Sequence, residues 1–170
     1  MFGIKRVIGY LLAAATITGS CLADDATPLK FYKLEFVVKE VEGGKVLNAR
    51  SYWAVIGAEQ GPQTVCSIRT GSKVPTPTTP TQYSYLDLGV SIDCRSVKEV
   101  GGELTLSVHA DISSTLQESS TAPALPPVVR ENKWGSMVIV PLRKPTVIFS
   151  SDDVTGKRQM QLELTATPIT

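Results

Sequence analysis

Few residues of this 170-residue chain carry reactive groups in a usable arrangement. His109 is the single histidine, and it stands between Ser107 and Asp111 in the alternating run ELTLSVHADI. At such a polar position it reads as a solvated sheet residue. No serine occupies a nucleophile-elbow context, and no Cys/His set has zinc spacing. The stretch SSDD (Ser150 to Asp153) sets two carboxylates beside a turn, as calcium sites do, but its oxygen set is incomplete. A hydrogen-bonding turn is the reading there. No pair of carboxylates is spaced for acid/base work. The chain reads as a non-enzyme that uses no metal or other cofactor.

Cys66 and Cys94 are the cysteines that follow the first segment of the chain. Each alternates with an isoleucine, Ile68 and Ile92, so both thiols share apolar faces. Two arrangements fit: a disulfide, which an oxidising compartment favours, or two buried thiols acting as small apolar side chains. The disulfide is the expectation. Tyr83, Tyr85 and Trp134 offer a binding surface or a membrane-interface girdle, but aromatics so placed more often close the end of a β core. That is the expectation for all three.

These residues need a scaffold, and the first segment says where it folds. MFGIKRVIGYLLAAATITGSCLADD has a basic start at Lys5 and Arg6, an apolar run from Val7 to Ile17, and small residues before Asp24. This is an export signal, residues 1–23, ahead of a single domain over 24–170. Cleavage after Ala23 is the expected processing. Lipidation at Cys21 is the other route, with Thr18 where a lipoprotein signal carries Leu. The chain carries 17 Lys and Arg against 16 Asp and Glu, so no basic stripe argues for nucleic acid. No later apolar run has the length of a membrane-spanning helix.

The dominant pattern is period two. Tyr32, Leu34, Phe36 and Val38 share a face, EGGK makes a hairpin, and Leu47, Ala49, Trp53 and Val55 share a face of the returning strand. TVCSIRT is a third strand that stops at Gly71. In YLDLGVSIDC, Leu86, Leu88, Val90 and Ile92 oppose Asp87, Ser91 and Asp93. After Gly101–Gly102, Leu104, Leu106, Val108, Ala110 and Ile112 point inward, with Glu103, Thr105, Ser107, His109 and Asp111 outward. VVRENKWGSMVIV, PTVIFSS and MQLELTATPI complete about eight strands. The fold class is all-β: an antiparallel sandwich or partly open barrel.

The order CSIRTGSKVP, polar insert, YSYLDLGVSIDC, hairpin, LTLSVHADIS resembles the β-domain of bacterial secretins. These are the outer-membrane ring proteins of type II and type III secretion and of type IV pilus systems. The family's Ala-x-Ile-x-x-Gly-x-x-Ile/Val-Pro element falls on Ile68, Gly71, Val74 and Pro75. Its Tyr-x-Asp-x-Gly-Val strand falls on Tyr85, Asp87, Gly89 and Val90. The following strand falls on Leu104, Leu106, Val108, Ile112 and Ser113, and LELTATPI is similar to the closing strand. In physical terms, Gly71 and Pro75 should end a strand and redirect the chain. Thr76 to Thr81 should then run as an extended, hydrogen-bond-poor, mobile excursion, like the Ser119–Pro127 stretch. Gly89 inside a strand signals a bulge or a close backbone approach.

The resemblance implies an exported, structural or accessory protein of a secretion or pilus machine. Its place would be the periplasm or outer membrane of a Gram-negative-type bacterium, with other machinery components as partners. Membrane association would come through Cys21 or through assembly. Two departures bear on the pore. No upstream periplasmic module is recognisable, and SSDDVTGKRQ stands where secretins carry a long gate hairpin, with Ser150 and Ser151 in place of Gly-Gly. The expectation is therefore a small sandwich that keeps the strand order, soluble as a monomer or small oligomer. The alternative is a free periplasmic binding module with no role in secretion.

Overall fold

The computed structural model describes residues 29–58, 65–79, 81–116, 128–153 and 156–169. The expected export signal, Cys21 and the Ser119–Pro127 stretch lie outside the described residues. Eight strands follow one another: β1 (Phe31–Glu42), β2 (Lys45–Gly57), β3 (Val65–Thr79), β4 (Gln82–Val100), β5 (Glu103–Leu116), β6 (Val128–Pro141), β7 (Thr146–Asp152) and β8 (Arg158–Ile169). They form two four-stranded sheets, ordered β2-β1-β8-β7 and β3-β4-β5-β6, and every neighbouring pair is antiparallel. The architecture is an antiparallel β-sandwich.

The alternation in the sequence sorts the two faces. Tyr32, Leu34, Phe36 and Val38 of β1 and Leu162, Leu164 and Ala166 of β8 are buried against Ile92 and Cys94 of β4 and the inward row Leu104 to Ile112 of β5. Each fully buried large side chain contributes about 1.5–3 kcal/mol relative to leaving it in water. Gly43 and Gly44 have φ of 59° and 80°, the left-handed conformation that the two-residue β1–β2 hairpin requires. The outward positions of β5 and β8 are polar, as the pattern indicates.

In β2 the face shared by Leu47, Ala49, Trp53 and Val55 points outward. Leu47, Trp53 and Val55 are exposed, whereas Tyr52, Ala54 and Ile56 face the core. Both parities of VLNARSYWAVI carry apolar residues, so the pattern alone does not choose between them. Pairing with β1 does: Phe36 opposes Tyr52 and Leu34 opposes Ala54. One side of a pleated pair follows the core.

Charge links the sheets at opposite ends. In β4 the register shifts between Arg95 and Lys98, with Ser96 at φ 55°. This bulge moves the inward parity from even to odd residues, so Val97 is buried and Glu99 turns toward β1. There the Tyr32 hydroxyl donates a hydrogen bond to Glu99, and Lys30 Nζ donates another at 2.6 Å. At the other end, Arg130 of β6 pairs with Asp153, just after β7, at 2.6 Å.

The Lys30 bond, and next the Tyr32 hydroxyl, hold the Glu99 carboxyl below the usual carboxylate range. A carboxylate with a depressed folded pKa stabilises above its unfolded pKa, and that contribution is lost as pH falls through the folded value. Glu99→Gln should therefore lower the denaturation midpoint at neutral pH, and the gap to wild type should narrow as the solution is acidified below the ordinary glutamate range. Paired urea titrations across that pH span read this directly. A gap independent of pH would rule out the ionised clasp.

Candidate functional site: a glycine crossing at the root of the β3–β4 ribbon

Of the residues singled out in the sequence, the two cysteines and the first two motif segments lie on the β3–β4 pair, whereas His109, Trp134 and SSDD stand elsewhere, on β5, on β6 and at the end of β7. Cys66 lies directly opposite Cys94, with Cα atoms 4.9 Å apart, and the two form a disulfide. Both are buried. Farther along the same ladder Ile68 opposes Ile92, Gly71 opposes Gly89, Lys73 opposes Asp87, and Pro75 opposes Tyr85. The two motif segments are thus the two sides of one ribbon.

At Gly71 and Gly89 the backbones approach closely. A Cβ at Gly71 would collide with the Leu88 carbonyl oxygen, and one at Gly89 would collide with the Thr70 carbonyl oxygen. Gly89 also has φ 149°, in a region that side-chain-bearing residues avoid. Here β4 parts from β5: their last ladder pair on this side is Val90 with Ile112. The Gly89 N–H is taken by Ser113 Oγ at 3.0 Å. A side chain replaces the lost ladder acceptor. Ser113 came out of the sequence as a motif position; its bond to Gly89 had no signal there.

Beyond the crossing β4 pairs, among the described residues, with β3 alone, and this corrects two expectations. The strand does not stop at Gly71 or Pro75, nor is the Thr/Pro segment a hydrogen-bond-poor excursion. Thr76 pairs with Ser84, Pro77 with Tyr83, and Thr79 with Gln82. Pro75 and Pro77 are two residues apart, so their missing donors lie on one side of the strand. Because β3 is an edge, that side needs no partner, and the ladder to β4 survives. The second correction concerns the tyrosines. Tyr83 and Tyr85 are 61% and 67% exposed and close no core, because they sit past the crossing and on the parity opposite Leu86 and Leu88. Trp134 does pack inward, with its ring centroid 5.5 Å from that of Phe149.

Since the end of the ribbon packs little apolar surface, shortening Thr76–Thr81 should leave the melting temperature nearly unchanged. A large drop in calorimetry would show that these residues support the core.

Polar groups around the ribbon serve structure. Arg69 Nη2 donates to both Asp93 carboxylate oxygens at 2.8 Å, and this pairing holds the Asp93 carboxyl below the usual range. Lys73 and Asp87 pair at 2.8 Å in full solvent, worth at most about 1 kcal/mol. His109 is exposed on the outer face of β5, and its ring lies over Gly135, where a Cβ would overlap it. In SSDD, Asp152 accepts a hydrogen bond from Gln159 Nε2 at 3.0 Å, and the Asp153 N–H donates to the Arg158 carbonyl at 2.8 Å. Among the described residues no three His, Cys, Asp or Glu side chains gather as a metal site.

Between the splayed ends of the sheets lies a cleft of about 470 Å³. Apolar Val38, Val90 and Met160 line it beside polar Asn48, Ser113 and Thr115 and the charged Glu40 and Arg50. The ribbon borders it through Ser72, Val74 and Leu88.

No family model matches the chain, and no curated protein matches it. Among solved structures it is similar to the InvG secretin domain β-barrel from the Salmonella SPI-1 injectisome, with TM-score 0.49 and 8% identity over 84% of this chain and 62% of that one. It is also similar to the type II secretion system secretin XcpQ from Pseudomonas aeruginosa, with TM-score 0.47 and 12% identity over 83% of this chain and 57% of that one. A third is the type II secretin GspD from enteropathogenic Escherichia coli, with TM-score 0.46 and 9% identity over 84% and 67%. The chain spans less than two thirds of the length of the InvG chains it matches, between 45% and 64%.

Proposed function

We propose that the protein is an exported, non-catalytic component of the bacterial cell envelope, with a structural or accessory role beside secretion or pilus machinery. One observation carries this reading. Three of the secretin-like motif residues, scattered in sequence, meet at one junction: Gly71 opposite Gly89, with Ser113 holding the Gly89 N–H. That junction gives the motif a physical purpose, since both glycines are demanded by close backbone approach and Ser113 by a lost ladder partner. The export leader read at residues 1–23 agrees with a periplasmic or outer-membrane place.

An accessory rather than a pore-forming role is supported by the outward faces. A lipid-facing barrel wall presents apolar side chains on successive strands. Here β5 presents Thr105, Ser107, His109 and Asp111 outward, and β8 presents Gln161, Glu163 and Thr165. Exposed large apolar residues cluster on the edge strands β2 and β6 and at the ribbon. Only residues 153–157 join β7 to β8. Fractionation of the producing cells followed by native electrophoresis tests this. The protein should appear in the envelope fraction as a species of one or a few copies. A heat-resistant, detergent-requiring ring of many subunits would overturn it and restore a pore.

The second reading, a free periplasmic binding module, is favoured by the cleft, whose mixed apolar, polar and charged lining suits a small amphiphile. Native mass spectrometry of the exported protein separates the two. A co-purifying small molecule would favour the binding module.

A further inference from the structure

We propose that strand β2 is a homodimer interface: two copies of the chain join their β2 edges antiparallel about a two-fold axis at Ser51, fusing two four-stranded sheets into one. The first ground is that β2 is the edge left unprotected. Edge strands of soluble proteins are blunted by proline, by charge, by bulges or by being short. β3 carries Pro75 and Pro77; β7 has 7 residues and a register shift between Val147 and Phe149. β6 carries Arg130, Glu131 and Lys133. β2 is 13 residues long and has no proline. Its one register shift with β1 falls near the hairpin tip, and from Asn48 to Gly57 its only charged residue is Arg50.

The second ground is what the strand exposes. Trp53 is 65% exposed, Val55 48% and Leu47 45%, all on the outward side, with Lys33 Nζ 5.7 Å from the centre of the Trp53 ring. A tryptophan this open is a large apolar surface left in water, and tryptophan is enriched in the centres of protein interfaces.

The third ground selects the occupant. The outward residues are distributed evenly about Ser51: Leu47 and Ala49 before it, Trp53 and Val55 after it. Antiparallel pairing centred on Ser51 sets Leu47 against the second copy's Val55, and Ala49 against its Trp53. The bulky indole thus meets the smallest side chain, twice. On the inward side Arg50 meets Tyr52 and Asn48 meets Ala54, so no like charges oppose. Displacing the register by two residues would set Trp53 against Ser51, or set Leu47 against Trp53 and bring Arg50 against its own copy. A two-fold interface must be self-complementary in this sense. Among the described residues β2 pairs with β1 alone, and pairing with a second copy supplies partners for the N–H and C=O groups of its other edge.

Light scattering on the full chain, with a chemical cross-link, tests the interface. The wild type should have the mass of two copies at micromolar and higher concentrations. Trp53→Glu, at a solvent-exposed site, should give one copy while keeping the native circular dichroism spectrum. Across either kind of antiparallel pair the two Ser51 Cα atoms would be about 4.5–5.5 Å apart, within disulfide reach. Ser51→Cys should therefore form a homotypic cross-link under mild oxidant, identified as that peptide pair by mass spectrometry, and Val147→Cys on the β7 edge should not. A single-copy wild type, an assembly of more than two copies, or a dimer that survives Trp53→Glu without the Ser51→Cys cross-link would each overturn the proposal. A single-copy result leaves the envelope reading standing.

Discussion

Gly89→Ala should destabilise the domain by roughly 2–5 kcal/mol, from two sources that act together. The added Cβ meets the Thr70 carbonyl oxygen and comes within 2.5 Å of the Gly71 Cα, and neither is a side chain that can swing away. The backbone at φ 149° is also one that alanine adopts only under strain. Relief requires β3 and β4 to separate at the crossing, which would also draw the Gly89 N–H off Ser113. Urea denaturation reads the loss as a lower midpoint with an unchanged slope. Gly101→Ala is the control. Its φ of 62° also disfavours alanine, but nothing lies within 4 Å of the added Cβ, so its cost should be about 1 kcal/mol. Equal losses at the two sites would mean that backbone conformation alone, not the close approach, makes Gly89 necessary.

Replacing both cysteines, Cys66→Ala with Cys94→Ala, should cost about 3–4 kcal/mol. The bridge spans a sequence separation of 28 residues, and on the chain-entropy model closing such a loop restricts the unfolded chain by that amount. The two cysteines are already adjacent through the β3–β4 ladder, so the effect should appear in the unfolded state, with little change in the native circular dichroism spectrum. For the exported protein, intact mass before and after reduction should differ by two hydrogens. Two free thiols open to alkylation in native exported material would remove this account. The bridge lies five ladder positions from the glycine pair and acts on the unfolded chain, so the losses from the double alanine variant and from Gly89→Ala should be close to additive.

The sequence by itself determined the class of fold, most strand positions and much of the core. Period-two alternation in β1, β5 and β8 has one apolar parity in each, and burial of that parity is the only low-energy choice. It also contained the pairing of the site. The glycines stand equally far from the two cysteines along their strands, so a Cys66–Cys94 pair already places Gly71 opposite Gly89. What it left open were matters set by neighbours distant in the chain. In β2 both parities are apolar, and only pairing with β1 turned Trp53 outward. The prolines of β3 looked like chain breaks because a proline's cost depends on whether its strand is an edge, which sheet order decides. The bulge at Ser96 has no local signature, yet it turns Glu99 toward Tyr32 and Lys30. Alternation records which residues avoid water; which edges stay open, and which polar groups meet across the core, follow from how the two sheets pack.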